Sequence, residues 1–318
     1  MGMLYQVILR RVFIGVVTLF CVSAIIFAAV QMLPGDMAQQ ILGQSATPET
    51  LSALRHELGL DQSPLTRYLH WVYGSLHGDF GTSLSNGRPV AEMIGQRMVN
   101  TLFLASYTAL IAVPLAVTLG LFAALYKDSL YDRFVNVISL AAVSLPEFFI
   151  GYILILMFSV TYSVFPSIAD VPASASFFDR LYSAFLPVLT LTMVITAHMM
   201  RMTRVAVIDL LMLPYIEMAK LKGLSRFKIV IRHALPNAWA PIVNVVAVNL
   251  AYLITGVVVV EVVFVYPGLG QLMVDSVVKR DFMVVQACCC IFAVVYISIN
   301  LLADIISIST NPRLLHRK

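Results

Sequence analysis

The sequence predicts an all-α, polytopic membrane protein with six transmembrane helices and both termini in the cytoplasm. Three observations carry this. Of 318 residues, 60% are apolar and only 12% charged, against about 25% charged in a soluble domain. Six apolar runs, at 12–32, 101–126, 134–158, 186–206, 240–262 and 285–306, are each long enough to cross about 30 Å of hydrocarbon. With the N-terminus inside, fourteen of the 21 Lys and Arg residues fall in cytoplasmic segments and seven on the opposite side, the bias expected of cytoplasmic loops.

The same composition excludes several functions. The net charge of +4 follows the topology and makes no case for nucleic acid. Cys21, Cys288, Cys289 and Cys290 all lie in apolar runs, where a thiol is a small buried hydrophobe and not a disulfide framework or metal site. The first run lacks a small-residue cleavage site, so it reads as a retained span and not a signal peptide. No GxxxxGK[ST] string occurs, so any nucleotide must be handled by another chain. There is also no nucleophile with a base at readable spacing, so the chain is not expected to be an enzyme or to bind a cofactor.

Residues 1–11, with Arg10 and Arg11, form the cytoplasmic N-terminus ahead of the first span. Residues 33–100 make the largest extracytoplasmic segment, opening on the turn signal Leu33-Pro34-Gly35-Asp36. Thr47 can cap and Pro48 begin a helix; Leu51, Leu54 and Leu58 recur at helical spacing along it, and Gly59 can stop it. Leu58-Gly59-Leu60-Asp61, Gly78-Asp79-Phe80-Gly81-Thr82-Ser83 and Arg88-Pro89-Val90 follow. The segment reads either as a packed cap or as a docking surface.

The second span holds Pro114 and Gly120 and ends at Lys127. The third carries Ser144-Leu145-Pro146-Glu147-Phe148-Phe149. Pro146 frees a carbonyl and can kink the helix. Glu147 falls near mid-span, where an ionisable group is costly unless it faces protein or water. It reads as a group on an internal path or as a protonated, hydrogen-bonded packing residue. Asn136 and His198 pose the same pair of readings, with His198 interfacial, one turn before Arg201. Residues 159–185, with Asp170, Pro172 and Asp179, cover the outer ends of the spans, and Arg201 and Arg204 end the fourth span at the inner face.

Residues 207–239 form the cytoplasmic loop between the fourth and fifth spans, and its basic segment 212–237 is too polar for lipid. Pro214 can begin a helix, Gly223 can end it at positive φ, and Ser225 can cap a second one. Phe227, Val230, Ile231 and Ala234 form its apolar stripe, with Arg226, Lys228 and Arg232 off the stripe, and Pro236 stops it by disfavouring helical geometry at Leu235. Ala219 and Gly223, four apart, would let another backbone approach closely. The fifth span is valine-rich and includes Asn244, Asn249 and Gly256, the asparagines suited to interhelical hydrogen bonds. Glu261 opens Glu261-Val-Val-Phe-Val-Tyr266-Pro267-Gly268-Leu269-Gly270, followed by Arg280-Asp281 and Gln286. That stretch, 263–284, reads as a Gly/Pro-bent loop over the outer mouth, or as a rigid turn with Glu261 paired to a base such as Arg280. The sixth span has Asn300 and Asp304, and the tail 307–318 contains Asn311-Pro312-Arg313.

Glu217-Met218-Ala219, three residues, Gly223, nine residues, then His233-Ala234-Leu235-Pro236 resembles the EAA loop of ABC importer permeases. That pattern is Glu-Ala-Ala, three residues, Gly, nine residues, Ile-any-Leu-Pro; here Met218 replaces the first alanine and His233 the isoleucine. Lys222-Gly223-Leu224 and Arg232-His233-Ala234-Leu235-Pro236-Asn237 are similar to the dipeptide/oligopeptide/nickel branch. So are the Pro-Gly-Asp, Gly-Asp-Phe-Gly-Thr-Ser, Pro-Gly-Leu-Gly and terminal Asn-Pro-Arg strings, in order along nearly the whole chain.

The resemblance implies a type I importer fold and a coupling helix docked on a separate ATPase. Its partners would be a second homologous permease, two ATPase subunits holding ATP and Mg, and an extracytoplasmic solute-binding protein, in the bacterial inner membrane. Alternating access would carry the solute. Glu217, Met218, Ala219, Lys222, Gly223, Leu224, Arg232, His233, Leu235 and Pro236 would serve coupling. Pro146, Glu147, Asn136 and His198 are candidates for the path. Glu261, Pro267, Gly268, Gly270, Asp79, Arg280 and Asp281 are candidates for the outer gate or binding-protein contact. Di- or oligopeptides are the first expectation for the solute, with nickel chelate, opine, glutathione or oligosaccharide as alternatives. An ion-coupled secondary transporter would need inverted halves and midplane charges, and an intramembrane enzyme paired catalytic groups; Glu147 and His198 are all the chain offers either.

Overall fold

Most of the described residues are helical. The structure is a computed structural model that describes residues 2–32, 38, 42–43, 46–57, 61–170, 172 and 175–310, with the side chains of 2–7, 57, 226, 231, 304 and 307–310 excepted. The expected turn at 33–36, the helix stop at Gly59 and the Asn311-Pro312-Arg313 tail lie outside these residues. Among the described residues there is no β-strand, only an isolated bridge between Thr82 and Pro89. In chain order the helices are α1 Gly2–Gln31, α2 Pro48–Glu57, α3 Pro64–Leu76, α4 Val90–Leu125, α5 Leu130–Ser144, α6 Glu147–Leu154, α7 Phe177–Ser183, α8 Phe185–Leu211, α9 Pro214–Leu221, α10 Arg226–Ile229, α11 Leu235–Val263, α12 Leu269–Val278 and α13 Phe282–Thr310.

Among the described residues, five stretches are long and apolar enough to cross a membrane: Ile8–Gln31, Val90–Leu125, Phe185–Leu211, Phe227–Val263 and Phe282–Ala303. The third expected span is a bent pair, Leu130–Ser144 and Glu147–Thr161, with 102° between its arms. Leu145 is extended at φ −97°, ψ 135°, as a residue before proline prefers. The other Leu-Pro pair behaves differently. Leu235, before Pro236, stays helical at φ −58°, ψ −42°, so Pro236 does not stop the helix as expected. Residues Val230–Ala234 form a π turn in which the Leu235 N–H donates to the Val230 carbonyl. The wider turn makes room for the ring, and α10, the π turn and α11 run as one helix.

The chain divides into two compact units. The larger comprises residues 1–13, 102–266 and 296–318. Its centre is α8, which buries Leu186, Leu191, Met199 and Met200 against Leu104, Ala112, Val257, Val260 and Phe264. Gly120 explains how close α4 and α8 come: a Cβ there would lie 2.7 Å from the Met200 carbonyl oxygen. The smaller unit comprises residues 14–101 and 267–295. Its core is Val90, Ile94, Leu269, Leu272, Val284, Ala287 and Cys288, and the Tyr68 and Ser23 hydroxyls meet at 2.7 Å. α3 and α12 were not expected. Ser63 caps α3 through the Thr66 N–H, with Pro64 at its first position; α12 follows Gly268 and buries Leu269 and Leu272 on one face, so 269–278 is a helix and not an irregular loop.

Candidate functional site

The elbow at Leu145-Pro146 places Glu147 at the first position of α6, where the helix N-terminus favours a carboxylate. Glu147 therefore sits at a break and not inside a continuous span. Its carboxylate lies against α11 at Gly256, where a Cβ would stand 2.9 Å from Oε2 and 3.1 Å from Oε1. A cavity of about 480 Å³ opens here, lined by Pro146, Glu147, His198, Tyr252, Thr255 and Gly256 among others. The His198 ring lies 5.9 Å from that of Tyr252. His198 also lines a second cavity of about 440 Å³ with Arg201, Met202 and Asp209. Three of the four expected path residues thus come together.

Asn136 does not join them. Its amide donates at 2.7 Å to Asp132 Oδ1 and at 2.7 Å to the Asp132 carbonyl. Asp132, 2% exposed, takes a forked ion pair from Arg204, Nε to Oδ1 at 2.6 Å and Nη2 to Oδ2 at 2.7 Å, and a fourth bond from the Asp128 N–H at 2.9 Å. Asn136 is a partner in a buried charge cluster that ties α5 to α8. Sequence reasoning missed this pair because 72 residues separate its members and Arg204 read as a topology marker.

The segment expected to serve coupling folds as a helical hairpin. Pro214 opens α9, and Gly223 at φ +77° ends it. The Leu224 N–H returns to the Ala219 carbonyl and the Gly223 N–H to that of Lys220, the pairing of a helix stopped by a left-handed residue. Ser225 then caps α10 through the Lys228 N–H. Ile216, Ala219, Ile229 and Ala234 pack together inside the hairpin. Ala219 is thus used internally and offers no face to another chain, whereas nothing lies within 4 Å of a Cβ built on Gly223. The expected stripe is shifted: Ile229, Val230 and Ala234 are buried, and Phe227 is 61% exposed. Glu217, Met218, Lys222, Arg232 and Pro236 are exposed, and Leu224, His233 and Leu235 half-buried. Beneath the hairpin a cavity of about 370 Å³ is lined by Lys127, Asp128, Ile208, Met212, Lys220 and Leu224, among others.

The residues expected at the outer gate turn mostly inward. In the larger unit, Glu261 is fully buried near the end of α11. The Tyr266 N–H returns to the Glu261 carbonyl and Val265 stands at φ +50°, a strained setting for a β-branched residue. Burial and the Glu261 carboxylate push the Tyr266 phenol up, against a smaller opposing pull from Arg180.

In the smaller unit, the Pro267 carbonyl accepts from Asn100 Nδ2 at 2.8 Å, and the Leu269 N–H donates to Thr101 Oγ1 at 2.7 Å. Gly268 and Gly270 are buried. Asp281, 1% exposed, is clasped by the Ser83 hydroxyl and by the Leu84 and Ser85 N–H groups, each at 3.2 Å. Gly78 at φ +82° stops α3, and Asp79 Oδ1 receives the Gly81 N–H at 2.9 Å. Glu261, Gly268, Gly270 and Asp281 are therefore internal supports and not contact surface; Asp79 and Arg280 are exposed.

Two families match the chain. One, described as binding-protein-dependent transport system inner membrane component, covers residues 116–316; the other, the N-terminal part of such membrane components, covers 3–105. The glutathione transport system permease protein GsiC of Escherichia coli (strain K12) is 36% identical over 310 residues, 98% of this chain and 99% of its own. Its counterpart in Shigella dysenteriae serotype 1 (strain Sd197) matches with the same figures. Among solved structures, the inward-facing MetNI methionine ABC transporter superposes with a TM-score of 0.55 at 18% identity, over 69% of this chain and 96% of that one.

Proposed function

Since the chain belongs to the inner membrane components of binding-protein-dependent transport systems, as a permease subunit of an ABC importer, we propose that it forms half of a translocation path for short peptides, glutathione included. The observation that carries this is the 36% identity to a glutathione permease over 98% of the chain. The relative's named solute, glutathione, is one of the alternatives to the first sequence expectation of di- or oligopeptides; being a tripeptide, it is kept beside them in this reading.

The partners are a second homologous permease, two ATPase subunits that hold ATP and Mg, and an extracytoplasmic binding protein. This chain binds no cofactor of its own in this reading. Both termini face the cytoplasm, as the Lys and Arg distribution favours, which puts the 214–235 hairpin where ATP is. The hairpin's exposed Met218, Leu221 and Phe227 form the apolar part of the ATPase dock, with Glu217, Lys222 and Arg232 around it. ATP-driven closure of the ATPases shifts the hairpin and, through α11, the wall that faces Glu147. The solute is released from the binding protein into the outward-open path, and hydrolysis resets it. Each step requires contacts that differ between the two states.

The test is purification of the tagged chain in mild detergent with mass identification of every partner, followed by glutathione and peptide uptake in proteoliposomes. Co-purification of an ATPase pair and a second permease, with ATP-dependent uptake, is the expected result. A lone chain with ion-driven uptake would overturn the importer assembly.

A further inference from the structure

Resting on the peptide reading above, we infer that this permease reads the charged ends of a passing peptide: Glu147 receives the ammonium group and Arg201 the carboxylate. Four observations converge on that. Glu147 lines a cavity of about 480 Å³ that carries no other charged side chain in its lining. Among the described residues its carboxylate has neither an ion pair nor a side-chain hydrogen bond. A buried structural carboxylate in the same chain looks different: Asp132 is gripped by four donors. The room for the Glu147 carboxylate depends on glycine at 256, since a Cβ there would intrude to 2.9 Å from Oε2.

The second pole follows from α8. His198 lines both cavities, and Arg201 lines the second. The two residues are three apart on one helix face, about 4.5 Å along its axis. His198 is common to both cavities, so a short peptide laid along them meets a negative pole at the elbow and a positive pole one turn past His198. Asp209, lining the same second cavity, lies about 12 Å along the axis from Arg201 and leaves the guanidinium available to the solute. Tyr252 and Thr255, which line the first cavity, are hydroxyl-bearing residues of the kind that suits amide groups between the poles. A neutral oligosaccharide uses neither charge.

The test uses the assembled transporter in proteoliposomes with its binding protein. The probes are trialanine and N-acetyl-trialanine, supplied at concentrations that give equal occupancy of the binding protein. Only preparations that retain all partner subunits are compared. In Glu147→Gln the ratio of trialanine to N-acetyl-trialanine uptake falls about tenfold, the loss of one charge-assisted contact. Gly256→Ala, which displaces the carboxylate while keeping the charge, lowers the same ratio; Glu147→Asp preserves most of it. Arg201→Gln instead lowers the ratio of trialanine to its C-terminal amide. An unchanged ratio in both Glu147→Gln and Gly256→Ala would overturn the ammonium assignment. If the wild-type transporter takes up neither trialanine nor glutathione, the peptide reading itself fails, and that result is visible before any variant is made.

Discussion

Removing Arg204 tests how the larger unit is held. Arg204→Met takes away two of the four bonds to the Asp132 carboxylate and leaves those from Asn136 and Asp128. The carboxylate is 3% exposed, so water cannot replace the lost fork. Leaving one partner of a buried pair uncompensated costs about 3–5 kcal/mol. Asp132→Asn costs less, about 1.5–3 kcal/mol, because Arg204 is 19% exposed and can turn its charge toward solvent. The double variant Asp132→Asn/Arg204→Met, which closes the cycle, recovers much of the loss, since a neutral pair strands no charge. The assay is denaturant unfolding of the purified transporter in detergent, read as a double-mutant cycle. A loss below about 1 kcal/mol for Arg204→Met, or strict additivity in the cycle, would show that the pair does not hold α5 to α8.

Three further outcomes are expected. Gly120→Ala drives a methyl into the Met200 carbonyl at 2.7 Å, so it lowers stability by about 1–3 kcal/mol, seen as a fall in detergent Tm; an unchanged Tm would mean α4 and α8 separate easily. Asp281→Ala strands the three donors of the 83–85 turn and costs about 1.5–3 kcal/mol; faster proteolytic cleavage within residues 78–90 is the readout, and wild-type protection would contradict the clasp. Gly223→Trp places a bulky side chain in open space at positive φ and weakens ATPase co-purification, while Gly223→Asn, which tolerates that backbone, retains it; equal recovery of ATPase with both variants would remove Gly223 from the dock.

Local chemistry was readable and distant pairing was not. Pro214, Gly223 and Ser225 act as their residue types predict because start, stop and cap are settled within one turn. The two Leu-Pro pairs show where that reasoning ends. Each disfavours a helix at its leucine, but Leu145 breaks and Leu235 does not, since a π turn and the buried Ile229, Val230 and Ala234 hold the second one together. Of the path candidates, Pro146, Glu147 and His198 line one cavity, whereas Asn136 is held by an aspartate one turn away on its own helix. The outer motifs were recognised as strings, but their use as supports depends on partners such as Ser83 and Asp281, 198 positions apart, and no local pattern announces that.

The helix that absorbs Pro236 has a mechanical consequence. From Phe227 to Val263 it is one rod of 37 residues, about 55 Å long at 1.5 Å per residue. A rod pivoting near its middle by about 10° swings its two ends by about 5 Å in opposite directions. Phe227 sits at one end, and buried Glu261 and strained Val265 at the other, with Gly256 against the Glu147 carboxylate along the shaft. Any tilt of this helix is therefore shared by both ends: inward travel of Phe227 is outward travel of Glu261, carried by one continuous backbone.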